Sequence, residues 1–96
     1  MGSSIPYAAS KAAANSITKS LARAFGPTVR VNAVAPGPVQ TRWLADHQGQ
    51  VETYVKQAPM KRAASPEDIA DTIYYLALGT TLTTGQVVVV DGGRTM

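Results

Sequence analysis

Near the end of the chain, "TTGQVVVVDGG" sets four valines in a row between a glycine and a double-glycine turn. β-Branched residues favour a strand, and a run without polar alternation suits a strand covered on both faces, as in parallel sheets. A second stretch of this kind, "VRVNAVA" at 29–35, stops at Pro36-Gly37-Pro38. Helical segments separate the two, and a crossover of that length calls for parallel pairing. Two strands alone cannot make a sheet covered on both faces, and "QVVVV" on an open edge is an aggregation hazard. The pattern therefore reads as the end of a larger α/β sheet whose other strands are missing.

The helices are legible from local chemistry. Residues 6–25 are rich in Ala, Lys, Leu and Arg, with Pro6 suited to a first turn and Gly26-Pro27 as the stop. Ile17, Leu21, Ala24 and Phe25 make its apolar stripe, and Lys19 and Arg23 complement the dipole at its end. Thr41 can cap a short helix to about Asp46, and a looser helix is expected over 50–57. "SPEDIADTIYYLAL" carries the strongest signal: Ser65 as N-cap, Pro66 at the first position and Asp68 completing an acidic capping box. Ile69, Ile73, Leu76 and Ala77 form its inner stripe, and Gly79 ends it.

Composition closes off several classes. With 96 residues the chain holds at most one domain, and 45% hydrophobic against 16% charged residues is globular. The net charge of +3 is spread thinly, without the clustered, aromatic-flanked cations of a nucleic-acid face. There is no Cys, and the single histidine, His47, has no spaced ligand partner, so no metal site is expected. No signal peptide or membrane-spanning run is visible, which makes a soluble cytoplasmic protein the expectation.

The chemistry-bearing stretch is "PYAASKAA" at 6–13. Tyr7 and Lys11 lie four residues apart, about 40° round a helix axis, so their side chains converge. Reducing a carbonyl by hydride needs an acid for the developing alkoxide, and the reverse reaction needs a base. A free phenol has a pKa of about 10, and bringing it near 7 takes about 4 kcal/mol. An ammonium about 4 Å away supplies about that much at an effective dielectric near 20, and only about 1 kcal/mol in open water. The pair is thus competent only inside a half-dry pocket. By spacing alone the signal is weak, because Tyr-x-x-x-Lys occurs often by chance and the ordinary reading is a surface helix bearing an exposed lysine.

The ordered set "YAASKAA", "VRVNAVAPGPVQT", "SPEDIADTIYYLA" and "TTGQVVVVDGG" resembles the C-terminal part of the short-chain dehydrogenase/reductase family. The likeness is greatest to its classical branch, which includes 3-oxoacyl-(acyl-carrier-protein) reductases and related alcohol or sugar dehydrogenases. It covers residues 6–93 with every block in order. It implies an α/β fold: the C-terminal part of a Rossmann-like, doubly wound parallel sheet, incomplete, with about two strands and three to four helices. The whole chain, 1–96, would be a partial domain from catalytic helix to last strand, without the N-terminal dinucleotide-binding half.

The resemblance also implies roles. Tyr7 would be the catalytic acid/base, and Lys11 would bind the nicotinamide ribose and lower the phenol's pKa. Pro36 and Gly37 would border the nicotinamide of NAD or NADP, Val39 would present its backbone to the carboxamide, and the Thr41 hydroxyl would help hold the cofactor. Residues 42–61 would form the lid over a small carbonyl or alcohol substrate, with Trp43 and Leu44 lining the pocket. The terminal segment would serve subunit contacts.

Blander roles are expected elsewhere. Asn32 reads as a structural hydrogen-bonding residue, Asp91-Gly92-Gly93 as a turn, Ser10 as a local bond, and Tyr54, Tyr74 and Tyr75 as core or interface. The family's phosphate-binding glycines, upstream Ser and Asn relay have no counterpart in the 96 residues, and Ser3 and Ser4 match only the lead-in to Tyr7. Two readings follow: a C-terminal fragment of an NAD(P)-dependent oxidoreductase, or a non-catalytic module that pairs with full-length relatives through the Val-rich strand and the helix from Pro66. A homo-oligomer or association with a full-length relative is the expected assembly.

Overall fold

The computed structural model describes residues 4–96 and contains, in order, α1 (Ile5–Phe25), β1 (Ala33–Pro36), α2 (Arg42–Ala45), α3 (Gln48–Gln57), α4 (Pro66–Tyr74), a wider π-type turn (Tyr75–Gly79) and β2 (Val87–Val90). The chain divides into two compact units. One comprises Met1–Ala33 with Thr80–Val87, the other Val34–Gly79 with Val88–Met96.

The strands pair as expected. Ala33 donates its N–H to the Gln86 carbonyl, and Gly37 donates to the Val90 carbonyl, both at 2.9 Å. The register advances equally along both strands, which makes the pairing parallel. The β1 ladder is shorter than the 29–35 stretch suggested, because side chains occupy its first rungs. The Thr84 hydroxyl accepts the Val31 N–H at 3.1 Å, and the Asn32 side-chain oxygen accepts the Gln86 N–H at 3.1 Å. Asn32 also donates to the Thr83 carbonyl at 3.0 Å, so it splices the strand to the Thr-rich loop. Its expected structural role is what the fold uses.

In the first unit, α1 starts on Ser4, whose hydroxyl accepts the Tyr7 N–H at 3.3 Å, and stops at Gly26, whose N–H returns to the Ala22 carbonyl. Its buried positions are Thr18 and Ala22, not the expected stripe: Ile17, Leu21 and Phe25 are exposed, Ile17 at 55%. Gly85 passes against this small face. Gly85 sits at φ +72°, donates to the Val31 carbonyl at 2.7 Å, and would bring an added Cβ to 3.4 Å from that of Ala22. Lys19 donates to the Gly85 carbonyl at 3.1 Å and is therefore not spent on the end of its own helix.

In the second unit the buried apolar residues are Tyr54, Ala58, Ala63, Ala64 and Leu76. α4 carries the full capping box: the Ser65 hydroxyl accepts the Asp68 N–H, and the Asp68 carboxylate accepts the Ser65 N–H at 2.8 Å. Arg62 adds two bonds to the same carboxylate, at 2.6 and 3.2 Å, which hold Asp68 far below the usual carboxylate range. Of the expected inner stripe, Leu76 is buried and Ile69 half-buried, whereas Ile73 and Ala77 are exposed. The widened turn from Tyr75 shifts the angular phase of the last residues, so a 3.6-residue period does not carry through it.

Asp91 follows β2 directly, 7% exposed. Its carboxylate accepts from the Thr95 hydroxyl at 2.7 Å, the Gly93 N–H at 2.9 Å and the Thr95 N–H at 3.1 Å. These bonds, the Thr95 hydroxyl first, hold its pKa below the ordinary value.

Two measurements test this account. Ser65→Ala removes one half of the capping box and is expected to cost about 1 kcal/mol, read from the urea midpoint. The Asp91 carboxyl carbon, followed by NMR against pH, is expected to titrate below the ordinary value of about 3.9. Because the folded value is depressed, the stabilisation is complete above about pH 4 and is lost as pH falls through the folded value. Asp91→Asn removes that acid-side dependence.

Candidate active site

In the first unit, the candidate residues stand on α1. The Ser4 cap places Tyr7 in the first turn, and one further turn brings Lys11 onto the same face. The Lys11 ammonium lies 5.4 Å from the centre of the Tyr7 ring, a cation–π arrangement. The pair therefore converges as the spacing implied, with the charge over the ring face. Ser10, between them, donates its hydroxyl to the Tyr7 carbonyl at 2.7 Å, the local bond expected of it. Tyr7 is 53% exposed and Lys11 is exposed, so this unit holds the pair in contact with water.

In the other unit, the segment after β1 holds a separate set of candidate residues. Pro36 closes the strand, and Gly37 hydrogen-bonds back to Val90. Next, the Pro38 carbonyl accepts the Ala64 N–H at 3.1 Å, and the Gln40 N–H reaches the Ala64 carbonyl at 2.8 Å. This is a one-residue parallel bridge between Val39 and Ala64. In such a bridge the flanking peptides face the partner, so the N–H and C=O of Val39 itself point the other way. Among the described residues neither has a hydrogen-bond partner. Val39 thus offers one donor and one acceptor side by side, the complement of a primary amide. Thr41 follows, exposed, just before α2. Trp43 and Leu44 fall within α2, but their side chains lie outside the described residues.

Two residues matter more than the sequence suggested. Tyr54, on α3, is only 6% exposed, and its hydroxyl donates to the Asp91 backbone carbonyl. Burial, and then the Asp91 charge, push its phenol above the ordinary value. Gly37 lies against both: an added Cβ would fall 2.5 Å from the Tyr54 hydroxyl oxygen and 3.0 Å from the Asp91 Cβ. The Asp-Gly-Gly-x-Thr pattern is a local sign of the Asp91 turn. Nothing local marks Tyr54, because its partner is 37 residues away.

Among the described residues, no helix is long and apolar enough to cross a membrane. A family model described as enoyl-(acyl carrier protein) reductase matches residues 1–95. The short-chain dehydrogenase/reductase homologue YusR of Bacillus subtilis is 42% identical over 95 residues, covering 99% of this chain and 73% of that protein. The crystal structure of a 3-oxoacyl-[acyl-carrier protein] reductase from Brucella melitensis ATCC 23457 superposes with a TM-score of 0.86 at 41% identity. That match covers 94% of this chain and 35% of the other. A second 3-oxoacyl-[acyl-carrier protein] reductase from Brucella melitensis, with bound NAD, gives 0.79 at 39% identity, covering 94% of this chain and 33% of the other. The chain thus spans about three quarters of the length of YusR and about a third of the length of the two Brucella melitensis reductases. The match along nearly the whole sequence, the parallel strand pair and the Tyr7–Lys11 face agree, and the chain belongs to the short-chain dehydrogenase/reductase family.

Proposed function

We propose that this chain is the proton-transfer and nicotinamide-facing part of an NAD(P)-dependent oxidoreductase that interconverts a carbonyl and an alcohol. The observation that carries the reading is the convergence of Tyr7 and Lys11 on one helix face. The outward-facing amide of Val39 supports it, since a nicotinamide carboxamide presents the matching donor and acceptor. Nicotinamide, when bound, supplies the hydride in reduction and takes it in oxidation.

The chain's own residues do the rest. The Tyr7 hydroxyl gives its proton to the substrate oxygen in reduction and recovers it in oxidation. Lys11 stabilises the phenolate left behind and binds the nicotinamide ribose. Pro36 and Gly37 border the ring, Val39 orients the carboxamide and Thr41 adds a hydroxyl to the cofactor. Trp43 and Leu44 line the substrate side. The chain is read as a partial domain, 1–96, of a cytoplasmic enzyme that takes NAD or NADP. The pyrophosphate falls to residues of a complete family domain that have no counterpart in this sequence.

The test is an NMR titration of the labelled full chain with NADH. Amide shifts are expected at Val39, Tyr7 and Lys11 with an affinity in about the millimolar range, weak because nothing in the sequence cradles the phosphates. A silent Val39 amide at saturating NADH refutes the reading. In any assembly in which the chain reduces a carbonyl, Tyr7→Phe is expected to lower kcat roughly 10²–10⁴-fold while the NADH-induced shifts persist.

The exposed Ile17, Leu21 and Phe25 favour a second reading, an association module that pairs with itself or with full-length relatives. Light scattering of the chain alone and mixed with a full-length relative tests it, and a monomer in both samples rules it out.

A further inference from the structure

Tyr54 fills a position in the lid segment that a leucine or phenylalanine would fill without a buried hydroxyl to satisfy. That hydroxyl is aimed at one acceptor, the carbonyl of Asp91. The acceptor is itself held still, because the Asp91 carboxylate is tied to Gly93 and Thr95. Two successive carbonyls at the end of β2 thereby anchor two different elements. Val90 takes the Gly37 N–H, and Asp91 takes Tyr54 of α3.

The two anchors meet at Gly37. Its α-carbon faces the Tyr54 hydroxyl so closely that a Cβ would fall 2.5 Å from the oxygen and 3.1 Å from the ring carbon bearing it. The same end of the lid is fastened beyond α3, where Met60 donates to the Gly92 carbonyl at 3.0 Å. The segment is thus fastened at both Tyr54 and Met60.

We propose that Tyr54 is a positioning residue: by pinning α3 to the Asp91 carbonyl against Gly37, it holds the Pro36–Val39 loop in register and so aims the free amide of Val39. It rests on the nicotinamide-facing reading of Val39 given above. It acts through Gly37 and does not itself touch cofactor or substrate.

The test is amide hydrogen exchange of the 96-residue chain, wild type against Tyr54→Phe, without any cofactor. Phenylalanine keeps the ring and removes only the bond to Asp91. The expected result is exchange at least tenfold faster at Gly37 and Gln40, with the amides of α4 unchanged. Unchanged exchange at Gly37 and Gln40, or equal acceleration there and in α4, overturns the proposal, since the second outcome marks a residue that supports the fold as a whole. Gly37→Ala provides an independent arm. It drives a methyl into the Tyr54 oxygen, so combining it with Tyr54→Phe is expected to accelerate exchange by less than the product of the two single effects. Strictly multiplicative effects contradict the contact. NADH titration of wild type and Tyr54→Phe separates this idea from the one beneath it. A Val39 shift in wild type that weakens in the variant supports both, whereas a silent Val39 in wild type removes the nicotinamide reading and leaves the exchange pattern to judge the brace.

Discussion

Parallel pairing of β1 with β2 is the constraint from which the rest of the chain takes its place. Parallel neighbours cannot be joined by a tight turn, so everything from Gly37 to Gln86 is connection, obliged to leave one end of the strand pair and return to the other. The connection departs at the carboxyl end of β1. Pro36 to Thr41 therefore lie where an α/β sheet commonly receives its ligands, and the carboxyl end of β2 lies beside them. The Gly37–Val90 bond and the Tyr54–Asp91 bond both close on that end.

Local rules read the fold well where the determining atoms are close in sequence. The capping box of α4 is such a case: Ser65, Asp68 and their two reciprocal bonds span three residues, and the pattern predicts them directly. The same holds for the Gly26 stop of α1, whereas its Ser4 cap, equally local, was not singled out. They failed where a distant segment competes for the same groups. Residues 29–35 look like one strand, but Thr84 and the Asn32 side chain take its first rungs. Along α1 the large apolar residues define the stripe by periodicity. The buried face is Thr18 and Ala22 instead, because Gly85 passes against that side of the helix.

The candidate site divides in the same way. Tyr7 and Lys11 are legible together, since one helical turn between them is enough to make them converge. Val39 was singled out only through family resemblance. Its backbone faces outward because Ala64, 25 residues further on, occupies the flanking peptides. Tyr54 had no signal beyond its type, and a lone aromatic on a helix reads as packing.

What the sequence by itself determined are the elements whose causes lie within a turn or two: the caps, the stops, the valine strand, and a phenol and an ammonium on one helix face. Their determinants are backbone propensity and side-chain reach, which act over a few residues. Only the tertiary structure decided which groups are spent and which remain available. It brought Thr84 to Val31, Ala64 to Val39 and Asp91 to Tyr54. Each of those outcomes is a competition for one hydrogen-bonding atom. The winner is set by which segments the parallel crossover returns to the same place.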